Sequence, residues 1–146
     1  MEITFRRIRE VDAEVIISYK HGNDYACFDS ENHQTDIDSL LSDPNVDIFV
    51  AVNDEDIILG FAEVTFDEEG MMEMSGALLP EFTGVGLGCD FITDCINYLT
   101  EHYDYDGGVI KTLALPDDRQ AVKVLERVGF QVVKTSEDWI ELQIEL

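Results

Sequence analysis

The stretch Pro80–Phe91, "PEFTGVGLGCDF", carries Gly84, Gly86 and Gly88 at alternate positions. The apolar run "MEMSGALL" precedes it and a helical apolar pattern follows it. A strand, a glycine turn and a helix in that order put backbone N–H groups at a helix N-terminus. Those donors and the helix dipole attract phosphate without any side-chain charge. Glycine has no Cβ to keep the backbone away from such a group. A tight strand–helix packing turn selects the same residues, so the string alone is weak evidence. Two familiar phosphate motifs are excluded. A Walker loop ends in Gly-Lys-Ser/Thr, whereas Gly88 is followed by Cys89 and Asp90. A dinucleotide fingerprint opens the first βαβ unit of a parallel sheet, and this turn follows several strands that read as antiparallel.

Along the chain, "EITFRRI" alternates as a strand, Glu2 to Ile8, and "VDAEVIISYK" has helical spacing with Asp12 as its expected cap. "HGNDYACFDSENHQ" is polar and loop-like, and "TDIDSLLSD" predicts a short helix that stops before Pro44. "VDIFVAVND" and "DIILGFAEVTF" read as a hairpin around "NDED", and "DEEG" turns the chain into the strand "MMEMSGALL". A helix is predicted from about Leu87 to Tyr103, with Gly107 and Gly108 suiting its C-terminal region. "VIKTLAL" is a strand, and "PDDRQAVKVLERVGF" a helix with a proline start and a stop at Gly129. "FQVVKTSEDWIELQIEL" closes the chain as two strands around "TSED". The order β-α-α-β-β-β-α-β-α-β-β predicts one α/β domain over residues 1–146, with a mixed sheet.

The net charge is -23, from nine Lys+Arg against 32 Asp+Glu. That disfavours nucleic acid and anionic membrane as partners and favours a cationic one such as an amine. A solvated acidic surface, serving solubility or a salty cytoplasm, would give the same count. No run approaches a membrane span and the N-terminus lacks a signal-peptide core, so a cytoplasmic location is expected. Cys27, Cys89 and Cys95 share no ligand spacing and read as free thiols, and His21, His33 and His102 are scattered, so no metal site is expected.

"GALLPEFTGVGLGCDFI", followed about thirty residues later by "PDDRQAVKVLERVGFQVV", resembles the GCN5-related N-acetyltransferase (GNAT) family. Thr83, Gly86 and Gly88 fall on that family's Q/R-x-x-G-x-G/A pyrophosphate loop. Asp118, Ala121, Leu125, Gly129 and Phe130 fall on its N-x-x-A-x-x-x-Y-x-x-x-G-F signature. The resemblance covers nearly the whole chain. It implies a single-domain α/β GNAT fold: a mixed, mostly antiparallel central sheet of about seven strands, flanked by about four helices. Acetyl-CoA, the co-substrate, would lie in a wedge between the fourth and fifth strands. Main-chain groups near Gly76, Ala77 and Leu78 would pair with the pantetheine arm, as a sheet edge pairs with an added strand. Amides over Gly84, Val85, Gly86, Leu87, Gly88 and Cys89 would hold the pyrophosphate, the Thr83 hydroxyl would donate one hydrogen bond, and Asp118 would lie near the cofactor arm.

Three positions depart from the family pattern. Thr83 replaces the usual Arg or Gln, so anion binding would rest on backbone amides. Asp118 stands where Asn is frequent, and when ionised it cannot donate. Leu125 stands at the frequent Tyr that protonates the departing thiolate, and leucine reads there as helix core. Tyr98, Tyr103 and Tyr105 are the stand-ins to consider, against a packing or helix-end role for each.

The resemblance implies an acetyl-CoA-dependent N-acetyltransferase acting on a primary amine, by direct transfer in a ternary complex. The amine would belong to a polyamine-like molecule, an antibiotic or a peptide. A general base must take the amine proton. Glu73, the charged residue of an apolar strand, is the first candidate and Glu63 the second, against ordinary outward-facing strand roles for both. The backbone N–H around Leu78 or Leu79 would polarise the thioester carbonyl. The acceptor region would be the first two helices and the loop between them. Tyr25, Phe28 and Asp29 stand there among further carboxylates, a composition that suits a cationic amine or an acidic surface loop. Trp139 would line the cleft or serve as a buried anchor. Family members often pair through C-terminal strands, so the resemblance allows for a homodimer. The alternative is an acyl-CoA-binding sensor that has lost catalysis.

Overall fold

In the computed structural model the described residues are 3–22, 41–42, 44–79, 82 and 86–146, with backbone alone for 17–22. The elements are β1 (Thr4–Arg7), α1 (Glu10–Gly22), β2 (Asp47–Val52), β3 (Ile58–Phe66) and β4 (Met72–Leu78), then α2 (Gly88–His102), β5 (Val109–Ala114), α3 (Arg119–Val128), β6 (Gln131–Thr135) and β7 (Ile140–Glu145). They form one seven-stranded sheet in the order β1-β2-β3-β4-β5-β7-β6. Every pairing is antiparallel except β4 with β5. The expected α/β GNAT fold is therefore present. The helix expected over "TDIDSLLSD" lies outside the described residues apart from Leu41 and Ser42.

The two faces of the sheet follow from the two-residue alternation of strand side chains. One face carries Phe49, Ala51, Ala62, Val64, Met72, Met74, Ile110 and Leu142, packed with Phe91, Cys95 and Leu99 of α2 and Leu125 of α3. Full burial of such a side chain contributes roughly 1.5–3 kcal/mol, so this layer dominates the core. The opposite face packs Val50 and Val52 against Ile16 of α1. Asp12 holds α1 to β1: its carboxylate accepts from Arg6 Nη1 and Nη2 at 2.5 and 3.0 Å and from the backbone N–H of Arg9 at 2.8 Å.

Several boundaries differ from expectation, each for a local reason. Helix α1 starts at Glu10, ahead of Asp12, so Asp12 caps from inside the first turn rather than from the position before it. Helix α3 starts at Arg119 and not at the proline, because Asp118 accepts the Ala121 N–H at 3.0 Å. Helix α2 ends before the glycine pair, with Asp104 taking the left-handed φ of 49° that a glycine was expected to supply. The stop at Gly129 is as expected: its N–H reaches the carbonyls of Leu125 and Glu126, with φ at 126°. Trp139 is not a buried anchor. It is 44% exposed in the β6–β7 turn, where the Ser136 hydroxyl accepts its N–H.

Candidate active site

Strand β4 is paired with β3 along its full length, from Met72↔Phe66 to Leu78↔Gly60. Its pairing with β5 stops after two rungs, Met72↔Ile110 and Glu73↔Lys111. Beyond Glu73 the two strands separate, so one edge of Met74–Leu78 faces a gap. Gly76 and Ala77, two of the residues expected to offer main-chain bonds, lie exposed along that edge, with Leu78 half-buried at its end. Gly76 stands on the helix side, where a Cβ would meet Phe91 Cε1 at 3.4 Å.

The closed end of this gap is clamped from below. Tyr105 Oη donates to the Val109 carbonyl at 2.5 Å and accepts the Met72 N–H at 3.1 Å. One phenol thus joins the first residue of β4 to the first of β5. This task removes Tyr105 from the thiolate-acid candidates. Tyr103 is tied to the Asp47 carboxylate, and burial first, then that bond, pushes its phenol up. Tyr98 stacks on Phe5 at 5.1 Å. Tyr98 lies ten residues along α2 from Gly88, which at helical rise is about 15 Å from the turn. All three stand toward the far end of the helix.

Beyond the open end of β4 comes the glycine turn. Thr83, Gly84 and Val85 lie outside the described residues, as do Tyr25, Phe28 and Asp29. Gly86 has φ at 84°, and among the described residues nothing stands within 4 Å of where its Cβ would be. The first fact excludes most side chains and the second leaves room for a bound group. Leu87 caps α2 without any side-chain hydrogen bond, and Gly88 and Cys89 are the first two helical residues. Leucine offers the first-turn amides no capping oxygen, and a helix N-terminus of this kind attracts an anion. The Cys89 thiol points back to the Val124 carbonyl at 3.9 Å. Asp118 opens the neighbouring helix α3, where its carboxylate is engaged as the N-cap.

Glu73 and Glu63 are brought together on the α1 side of the sheet. Glu73 lies opposite Thr65, and Glu63 opposite Ser75, which makes the two carboxylates diagonal neighbours. The Thr65 hydroxyl donates to Glu73 Oε2 at 3.4 Å. Both glutamates are half-buried. Leu125 is buried with the core, as its reading as helix core expects. Sequence reasoning missed Thr65 and Thr112, and it named Tyr105 only as a stand-in acid, not as the clamp between β4 and β5. Thr112 had a visible signal, as the one hydroxyl on the face shared by Ile110 and Ala114. Among the described residues no group of three or more His, Cys, Asp or Glu is placed to hold a metal. No helix among them is long and apolar enough to cross a membrane.

No family model matches this sequence, and no curated protein does. Solved structures do match. The chain is similar to the Campylobacter jejuni N-acetyltransferase PseH, determined in complex with acetyl coenzyme A, at 18% identity and a TM-score of 0.74, covering 99% of both chains. It is similar to the Vibrio cholerae spermidine N-acetyltransferase SpeG, determined with CoA and spermine, at 16% identity and a TM-score of 0.77, covering 98% of this chain and 95% of that one. An uncharacterised Bacillus halodurans protein superimposes with a TM-score of 0.84 at 15% identity, over 98% of this chain and 83% of that one. The likeness is one of fold, and the fold is that of the GNAT N-acetyltransferases.

Proposed function

We propose that this protein is an acetyl-CoA-dependent N-acetyltransferase that acts on a primary amine by direct transfer. The observation that carries the reading is the gap between β4 and β5, open at the end next to a helix N-terminus whose cap residue, Leu87, makes no side-chain hydrogen bond. An extended arm bearing amides would complete the free edge of Gly76, Ala77 and Leu78. The amides around Gly86, Leu87, Gly88 and Cys89, with those of Gly84 and Val85 and the Thr83 hydroxyl, would hold its diphosphate. Leu113 of β5 and Leu115 just past it, 41% and 67% exposed, are apolar surface that such an arm would cover. Acetyl-CoA supplies the activated acyl group. The chain's own task is to align an amine with it and to take up the amine proton, which falls to Glu73 with Glu63 as the second candidate.

For the acceptor, the net charge of -23 favours a cation, and spermidine N-acetyltransferases are among the similar structures. A polyamine-like amine is the first compound to try, with Tyr25, Phe28 and Asp29 as its expected contacts. The working location is the cytoplasm, as a monomer or homodimer. The test is release of free thiol from acetyl-CoA with a panel of polyamines, aminoglycosides and peptides. Thiol release with at least one amine supports the reading.

A specific observation favours a second reading. Leu125 is buried, and the three tyrosines of the α2 end are engaged elsewhere. A chain that binds acetyl-CoA and acetylates no amine in the panel would be an acyl-CoA sensor. A chain whose Gly86→Trp variant binds CoA as well as the parent would refute both.

A further inference from the structure

Thr112 is the first residue of β5 past the last rung shared with β4, Glu73↔Lys111. Opposite Leu142 of β7, it belongs to the helix-covered face that also holds Ile110, Phe91 and Leu125. It is 5% exposed, and among the described residues its hydroxyl has no hydrogen-bond partner. A buried hydroxyl without a partner is costly, because its bonds to water are lost and nothing replaces them. Valine has the same shape and suits a strand equally well. A threonine here calls for a partner that the described residues do not supply.

We propose that the Thr112 hydroxyl is the donor that meets the coenzyme A sulfur. The inference rests on the acetyl-CoA reading above. An arm anchored at the glycine turn and laid along β4 from Leu78 to Met74 runs about 13 Å at strand rise, ending beside Thr112. As the amine nitrogen forms its bond to the acetyl carbon, the carbon–sulfur bond breaks and its electron pair goes to sulfur. The amine proton passes to the carboxylate of Glu73. Thr112 keeps its own proton and donates a hydrogen bond to the thiolate, which leaves as coenzyme A. A stabilising donor at sulfur then exists without a tyrosine at position 125.

The test is equilibrium binding of CoA and of desulfo-CoA, from about pH 6.5 to about pH 9, across the ordinary thiol range. Parent, Thr112→Val and Thr112→Ser are compared. The parent's advantage over Thr112→Val for CoA is expected to grow roughly tenfold with rising pH, the size of a hydrogen bond to a charged group. Thr112→Ser keeps that gain. Desulfo-CoA shows no such growth. A parent-to-valine ratio that stays flat for CoA overturns the proposal while leaving the CoA site intact. Failure of the parent to bind either compound overturns the CoA reading itself. Thermal unfolding of the free proteins gives a second check: Thr112→Val is expected to melt at or above the parent temperature. A lower melting temperature would mean that the hydroxyl is already satisfied within the fold, and would also overturn the proposal.

Discussion

A Cβ on Gly88 would stand 3.3 Å from Val124 Cγ1 and 3.4 Å from Cγ2. Gly88 is thus small because α3 lies against the start of α2. Gly86, two residues earlier, answers to a different constraint, a φ of 84° with no described residue near its Cβ position. The two substitutions should separate accordingly. Gly86→Ala is expected to cost about 1–2 kcal/mol through backbone strain, whatever stands near it. Gly88→Ala should cost less than about 1 kcal/mol and be rescued by Val124→Ala, with a coupling of at least ~0.5 kcal/mol in a double-mutant cycle. Urea unfolding of the four proteins decides it. Additive effects at 88 and 124 would show that the contact carries no energy.

Tyr105 closes the lower end of the gap with one hydroxyl used twice. In Tyr105→Phe the Met72 N–H and the Val109 carbonyl both lose that partner at the β4–β5 junction. The expected loss is about 1–3 kcal/mol, with the ring's packing retained. Amide hydrogen exchange localises it: Met72 should exchange faster, while the β3–β4 rungs keep their protection. Uniform acceleration across the sheet would count against a local clamp.

Asp12 supplies a prediction in pH. Burial alone would raise its carboxyl, but hydrogen bonds from Arg6 and from the backbone and side chain of Arg9 outweigh that and hold it below the usual range. The folded value is depressed, so the folded state binds fewer protons than the unfolded chain just below the ordinary carboxylate value of about 3.9. Its stabilisation is fully present above that value and is lost as pH falls through the lower folded one. Asp12→Asn should therefore be less stable than the parent by roughly 3 kcal/mol at neutral pH, since Arg6 loses its buried partner. The gap should close only below about pH 4. Urea midpoints at intervals from neutral to acid pH check this. A gap that already closes near pH 6 would assign the effect elsewhere.

Element order was legible because the apolar periods of the chain are clean: Phe91, Ile92, Cys95, Ile96 and Leu99 mark the buried stripe of α2. The separation of β4 from β5 was not visible in either strand. It depends on where pairing stops, and the alternation of "MEMSGAL" is the same whether or not a neighbour is present. The starts of α1 and α3 were misjudged because two aspartates compete with simpler signals. Asp12 caps from within its helix, and Asp118 caps two residues after the proline. Glu73 and Glu63 were found as charges among apolar residues, but only the register places them diagonally. Of the two readings for Trp139, the buried anchor fails because its turn sits at the edge pair β6–β7, where the residue is 44% exposed.

The register also ranks the two glutamates. Glu73 sits on the last rung before the gap and receives the Thr65 hydroxyl, while Glu63 lies one strand farther away, on β3. If Glu73 takes the amine proton, Glu73→Gln should lower kcat/KM by about 10²–10⁴-fold, the usual size of a lost general base. Glu63→Gln should then lower it by less than about tenfold. Thr65→Val removes only the hydrogen bond that steadies the carboxylate, so kcat should fall a few fold with KM for acetyl-CoA unchanged. Steady-state kinetics with the best amine of the panel reads all three. A larger loss at Glu63 would exchange the roles. Losses at neither would move the base to water or to a residue outside this strand pair.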